Sequence, residues 1–298
     1  MTAEIFFHIG FPKTASTTLQ KSIFENYPGL IRSYDIGGII IKREELVFES
    51  EFDNIKKNIV EPMQKQSEKL VISDEAFATG DQVQSLVGRM TIAQRIERLF
   101  PSAKIIVVIR QQLDIIRSLY CQRAKNVDGD FSSLTRFVPW LESNWKNRKY
   151  YSDFHNYLYY DLIAYYQRLF GGGNILVLFF EELKNDSNSF YEKISNFMRL
   201  DLNQVIRLTQ NKHENKRLTE KRYNFQKLKN NFPIISKISA STPRFIRDIV
   251  SKKIDDGSEI KVDYPPEWKK KLHNFYAKDN ERLCELTGDQ PKTYNYPL

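Results

Sequence analysis

Two cysteines in 298 residues, Cys121 and Cys284, are too few and too far apart to suggest a disulfide framework. Two reduced thiols in a cytoplasmic protein is the expectation. The four histidines, His8, His155, His213 and His273, show no ligand spacing with one another or with the cysteines, so no metal site is expected. No run approaches the roughly 18–20 apolar residues that cross a bilayer. The opening MTAEIFFHIG carries an acidic residue where a signal peptide carries positive charge, so neither a leader nor a Golgi-type anchor is expected. Repeats and low-complexity linkers are also missing.

What is present is an ordinary globular composition. Hydrophobic residues make up 41%, enough for a sizeable core, and 28% charged residues leave a solvated surface. We expect one domain over 1–298, with a basic irregular region at 200–263 and an amphipathic helix at 267–286 as parts of it. The net charge of +8 fits an anionic partner. Residues 212–253 hold twelve basic against three acidic side chains. Four readings fit that segment: a nucleic-acid face, a membrane face, a cleft wall for an anionic substrate, or a solvated surface.

Apolar runs at Glu4–Ile9, Lys69–Ser73, Lys104–Ile109 and Asn174–Phe180 predict buried strands. KIIVVI, at 104–109, is an uninterrupted β-branched run of the kind that suits a parallel sheet covered on both faces. Helical patterns lie between them, at 14–26, 82–100, 113–124, 131–145, 154–170 and 187–198. Alternation of this kind predicts a three-layer α/β/α fold with a central, mainly parallel sheet. Ligands then bind at the carboxyl ends of the strands, just after Ile9, Ser73, Ile109 and Phe180. Tyr120, Trp140, Trp145, Tyr157, Tyr159 and Tyr160 form an aromatic-rich middle, either helical core or a sugar-stacking cleft.

The first strand runs into GFPKTASTTLQ, a Gly-Pro turn, Lys13, a small residue and a row of hydroxyls that open a helix. Free N–H groups, the positive end of the helix and an ammonium together suit an anion. Thr14, Ser16, Thr17 and Thr18 add hydroxyl donors, and Ala15 permits close backbone approach. This is not a Walker A loop, which places its lysine after a second glycine. The 104–109 strand ends in Arg110, and Ser118 follows in the next helix. A planar bidentate donor with a nearby hydroxyl suits a doubly charged phosphate.

FPKTASTT resembles the 5′-phosphosulfate loop of the sulfotransferases that use PAPS (3′-phosphoadenosine 5′-phosphosulfate), whose usual form is PK[ST]GT[ST]. Pro12, Lys13 and Thr14 match, Ala15 stands where glycine is usual, and Ser16 and Thr17 continue the hydroxyls. Thr18 replaces the tryptophan that stacks on adenine in cytosolic members. Arg110 and Ser118, with seven residues between them, resemble the family's 3′-phosphate pair, although Gln111-Gln112 replaces the usual Asn-Pro. VLFFEEL at 177–183 and KISNFMRLD at 193–201 extend the likeness, and KDNERLCELTG at 278–288 resembles the closing helix of bacterial members. The glutamate of ISDEAFATG, where many cytosolic members have histidine, resembles carbohydrate-modifying and bacterial members.

The resemblance implies a P-loop-NTPase-like fold and sulfuryl transfer from PAPS to an acceptor hydroxyl, leaving adenosine 3′,5′-bisphosphate. A carbohydrate or glycan is the acceptor it favours, with no metal. It also implies cofactor contacts at Lys13, Thr14, Ala15, Ser16, Thr17, Thr18, Arg110 and Ser118, with Lys216 and Arg217 in a late basic loop closing on the donor. Sulfuryl transfer needs an acceptor oriented in line, its proton accepted and charge on the leaving phosphate stabilised. Lys13 suits the last task. Glu75, in ISDEAFATG, is the candidate base, with Asp74 as its neighbour; the alternative is that both simply cap a helix. Two rivals remain: a P-loop-type nucleotide kinase, and a non-enzymatic basic protein binding polyanions or nucleic acid. The phosphate motifs speak against both, so no nucleic-acid partner is expected.

Overall fold

A computed structural model describes residues 3–65, 68–80, 88–126, 136–147, 153–210, 218–232, 235 and 242–298. The chain forms two compact units. The first comprises 1–111, 158–214 and 276–298; the second comprises 112–157 and 215–275.

The first unit is built on five strands: β1 (Glu4–His8), β2 (Leu30–Ser33), β3 (Lys69–Ser73), β4 (Lys104–Ile109) and β5 (Ile175–Phe179). Their order is β2-β3-β1-β4-β5 and every pairing is parallel. Successive strand side chains point to opposite faces, and both faces are covered. Phe6, Val71, Ile106, Val108 and Leu178 join Leu19, Ile23, Phe190, Ile194 and Met198 in one buried cluster. On the other face Phe7 meets the rings of Phe77 and Phe100, at centroid distances of 5.6 and 5.2 Å. Ile92, Ile96, Leu162, Ile163 and Tyr166 are buried as well. Each such side chain contributes about 1.5–3 kcal/mol by burial, so the continuous apolar run of β4 is what holds three layers together. The predicted α/β/α sandwich is therefore the observed one.

β3, β4 and the helix Ser187–Met198 have the predicted bounds. Other segments differ, and the helices predicted over 82–100 and 131–145 lie partly outside the described residues. The helix predicted over 14–26 starts at Ser16, and after Thr18 it continues as a π-helix, Leu19–Phe24. The helix predicted over 154–170 is broken into Asp153–Asn156 and Tyr159–Phe170. The break is made by Asp279, whose Oδ2 accepts from the N–H of Tyr159 at 2.7 Å and of Tyr160 at 3.4 Å. Finally, β2 and the helices Asp35–Lys42 and Glu49–Ile55 have no counterpart in the sequence expectation.

The second unit is helical, with Gln112–Asn126, Phe137–Lys146, Glu220–Asn231 and Arg244–Ile254 among its elements. Its core is aromatic: Tyr120 lies 5.0 Å from Phe137 and 5.6 Å from Trp140. No helix among the described residues is long and apolar enough to cross a membrane.

Candidate functional site

β1 does not release the chain at His8. Ile9 donates to Ile106 O (3.0 Å), Val108 donates to Gly10 O (2.7 Å), and Phe11 donates to Val108 O (2.9 Å). The following loop is thereby zipped onto β4. The Phe11 carbonyl accepts from two of the four hydroxyls predicted to face a ligand, Thr14 Oγ1 at 2.5 Å and Ser16 Oγ at 3.0 Å. Thr14 and Ser16 are buried, so their side chains fasten the turn, and what they offer an anion is chiefly backbone N–H. Lys13 and Ala15 both take left-handed conformations, at φ 65° and 69°. Such backbone turns successive N–H groups into an anion-binding concavity, at a cost of about 1–2 kcal/mol for each non-glycine residue. The glycine usual at position 15 in the resembled loop would escape that cost. Thr17 and Thr18 are half-buried.

The end of β3 meets this loop. An alanine Cβ at Gly10 would lie 3.1 Å from Glu75 Cα, so the two turns touch along their backbones. Asp74 and Glu75 divide the roles left open by the sequence. Asp74 Oδ1 accepts from the N–H of Ala76 at 2.9 Å and closes the turn. Glu75 makes no side-chain cap. Burial raises its pKa; the Ser16 hydroxyl, whose one proton is shared between this carboxylate and the Phe11 carbonyl, and the positive charge of Lys13 oppose the rise, and the charge of Asp74 adds to it. A carboxylate that is more basic than usual, yet held near an ammonium, is suited to accepting a proton.

Arg110, at the end of β4, donates from Nη1 to the carbonyl of Lys13 at 3.1 Å. Its guanidinium lies 4.5 Å from the centroid of the Phe180 ring. Tyr159 OH donates to Arg110 O at 2.6 Å. Behind it stands Glu181, whose Oε1 accepts from the N–H of Gln111 (3.0 Å) and whose Oε2 accepts from Tyr296 OH (3.3 Å). Burial raises the pKa of Glu181, and the Gln111 N–H and the Arg110 charge counter it. Glu181 carried a signal, since it is the first acidic residue of the VLFFEEL match. Tyr159 and Tyr296 carried none, because their roles depend on chain segments far from Arg110 in sequence.

Lys13, Ser16, Glu75 and Arg110 are thus brought together at adjoining strand ends. Ser118 stands in the helix Gln112–Asn126 and is half-buried. Lys216 and Arg217 lie outside the described residues. His8, placed in the first strand by its sequence, is fully buried; its Nδ1 meets Ser73 Oγ at 2.7 Å.

Of the two readings of the aromatic middle, core applies. Tyr120, Trp140, Tyr157 and Tyr159 are all buried, which overturns a sugar-stacking role for these four. Trp145 packs against Trp268 (6.0 Å) and Phe275 (5.7 Å), and Tyr160 is covered by Arg282 at 3.8 Å.

The model of the sulfotransferase domain matches residues 6–283. Among solved structures, a sulfotransferase from Alicyclobacillus acidocaldarius aligns over 100% of this chain and 98% of its own, with a TM-score of 0.57 at 14% identity. That likeness shows a shared fold. A mouse sulfotransferase complexed with PAP aligns over 69% of this chain and 64% of its own, at 18% identity and a TM-score of 0.41. No curated protein sequence matches. A family match over nearly the whole length, on a parallel sheet of this topology, has one meaning: the chain belongs to the sulfotransferase family of enzymes.

Proposed function

We propose that the chain transfers a sulfuryl group from PAPS to an acceptor hydroxyl, with a carbohydrate as the acceptor class. The observation that carries this reading is the position of Lys13. Its charge acts on Glu75, and its carbonyl is held by Arg110. One loop therefore joins a candidate base to a candidate phosphate-binding arginine.

The donor set fits an anion with two phosphoryl ends. Lys13 and the backbone N–H groups from Thr14 to Thr18 would hold the 5′-phosphosulfate, with Ala15 allowing close approach. Arg110 would hold the 3′-phosphate with its planar guanidinium, which lies against the Phe180 ring and near the carboxylate of Glu181. Ser118 retains its assignment to that phosphate from its sequence spacing to Arg110, and Lys216 and Arg217 retain theirs as late basic contacts. Glu75 accepts the acceptor's proton as the hydroxyl attacks sulfur in line. Lys13 neutralises the charge gathering on the bridging oxygen as adenosine 3′,5′-bisphosphate departs. No step in this scheme calls for a metal.

The carbohydrate assignment rests on a carboxylate base at the end of β3, the feature shared with carbohydrate-modifying members. We further propose that 1–298 works as one sulfotransferase domain, since the family match draws on segments of both compact units. A cytoplasmic location accords with two cysteines present as thiols. The test is Glu75→Gln, assayed by release of adenosine 3′,5′-bisphosphate with a panel of hydroxylated acceptors. The expected loss is about 10²–10⁴-fold in kcat, with donor binding retained and the acid limb of the native pH profile lying above the ordinary carboxylate range. Near-normal turnover by the variant would sink the assignment.

A further inference from the structure

The helix Arg244–Ile254 presents its apolar residues to solvent. Phe245 and Ile249, one helical turn apart, are 65% and 54% exposed, and Ile246 and Val250 beside them are exposed too. The polar side of the helix faces its neighbour. Ser251 Oγ and both carboxylate oxygens of Asp255 bind Arg222 of the helix Glu220–Asn231, with Nη2 to Oδ2 at 2.9 Å. Leu228 and Phe232, four residues apart at the end of that second helix, are exposed as well. A soluble protein seldom leaves such a stripe open unless something covers it.

Charge identifies the cover. Residues 218–254 contain nine basic and two acidic side chains, a net +7 in a chain whose total is +8. Lys227 and Lys253 flank the apolar stripes and are exposed. Aliphatic side chains with lysines at their margins are the chemistry of an interfacial helix on anionic lipid, where apolar groups enter the headgroup boundary and ammonium groups meet lipid phosphates and carboxylates. Single-stranded nucleic acid would call for stacking rings, whereas three of the four exposed apolar residues of Arg244–Ile254 are Ile or Val. A second copy of the chain on the same patch would bring two segments of the same positive sign together. We propose that the second unit docks on an anionic membrane surface through these two helices, and so presents the enzyme to acceptors at a bilayer.

Co-sedimentation of the full chain with phosphatidylcholine vesicles, with and without phosphatidylserine, tests this. Binding is expected only where phosphatidylserine is present, and it should weaken as salt rises. The double variant Phe245→Asp, Ile249→Asp should lose more than about tenfold in vesicle affinity. Its thermal midpoint and donor binding should stay unchanged, because both side chains are exposed. Lys253→Glu, which leaves the apolar stripe intact, should lose about fivefold or more, and it keeps the test valid if the double variant unfolds. No binding to the anionic vesicles, or equal binding by the variants, overturns the proposal. So does a concentration-dependent dimer, or a preference for DNA or RNA over vesicles.

Discussion

Gly10→Ala perturbs the contact on which the site depends. Gly10 has φ +100°, where an alanine is strained by about 1–2 kcal/mol. The added Cβ would also lie 3.1 Å from Glu75 Cα and 3.5 Å from Glu75 O. Those are backbone atoms, so relief requires the end of β3 to move by a few tenths of an ångström. Gly10 cannot retreat in the other direction, because its carbonyl accepts from Val108 N at 2.7 Å. The expected loss is about 2–3 kcal/mol of stability, read from urea unfolding at unchanged m. Turnover should fall about tenfold, since a 1 Å misplacement of a reacting group costs about 10². Gly29→Ala is the control: φ there is +79°, but nothing lies within 4 Å of the added Cβ. It should show the strain alone, with native turnover. If Gly10→Ala matches the Gly29 variant in both stability and rate, the contact between the two turns does not position Glu75.

Two buried groups should give stability opposite dependences on pH. Burial and the charge of Arg32 hold His8 near pKa 3, against 6.5 when unfolded. The unfolded chain therefore binds the extra proton as pH falls below about 6.5, and stability should drop by about 3 kcal/mol by pH 4. A His8→Gln variant should show a shallower acid slope in urea titrations, and an unchanged slope refutes the assignment. Burial raises Asp279 to about 6, so the folded chain holds its proton longer and stability should fall as pH rises from about 4 to 6. Asp279→Asn keeps an acceptor for the Tyr159 N–H but removes that opposing slope. Its stability should climb more steeply than native over the same window, and an unaltered curve counts against a raised carboxyl.

Much of this was legible in the sequence because it was local. KIIVVI reads as a buried strand whatever surrounds it, and the ends of β1, β3 and β4 supplied Lys13, Glu75 and Arg110 directly. Where the sequence was opaque, the cause lay at long range. The break in the predicted 154–170 helix comes from Asp279, 120 residues away from Tyr159. β2 was missed because LIRS is short and follows a glycine turn, with only Leu30 buried. The helix Asp35–Lys42 contains two glycines, which lower helix propensity. An added Cβ at Gly37 would lie 3.7 Å from Ile72 Cγ2 of β3, so packing takes the helix close to the sheet there. Within the site, the hydroxyl row suggested anion ligands, yet the Thr14 hydroxyl goes to the Phe11 carbonyl and that of Ser16 is shared between this carbonyl and Glu75. Residue type gave the chemistry available at each position, but only the fold decided which partner each hydroxyl took.

The central claim is a donor site built by Lys13 and Arg110. Calorimetry with adenosine 3′,5′-bisphosphate, comparing the native chain with Lys13→Ala and Arg110→Ala, tests it most directly. The native protein should bind one equivalent without added metal. Each variant should weaken binding by roughly 10- to 100-fold, in line with about 1.5–3 kcal/mol for a hydrogen bond to a charged group. A native chain that gives no heat with this nucleotide, or variants that bind as tightly as native, would contradict the account.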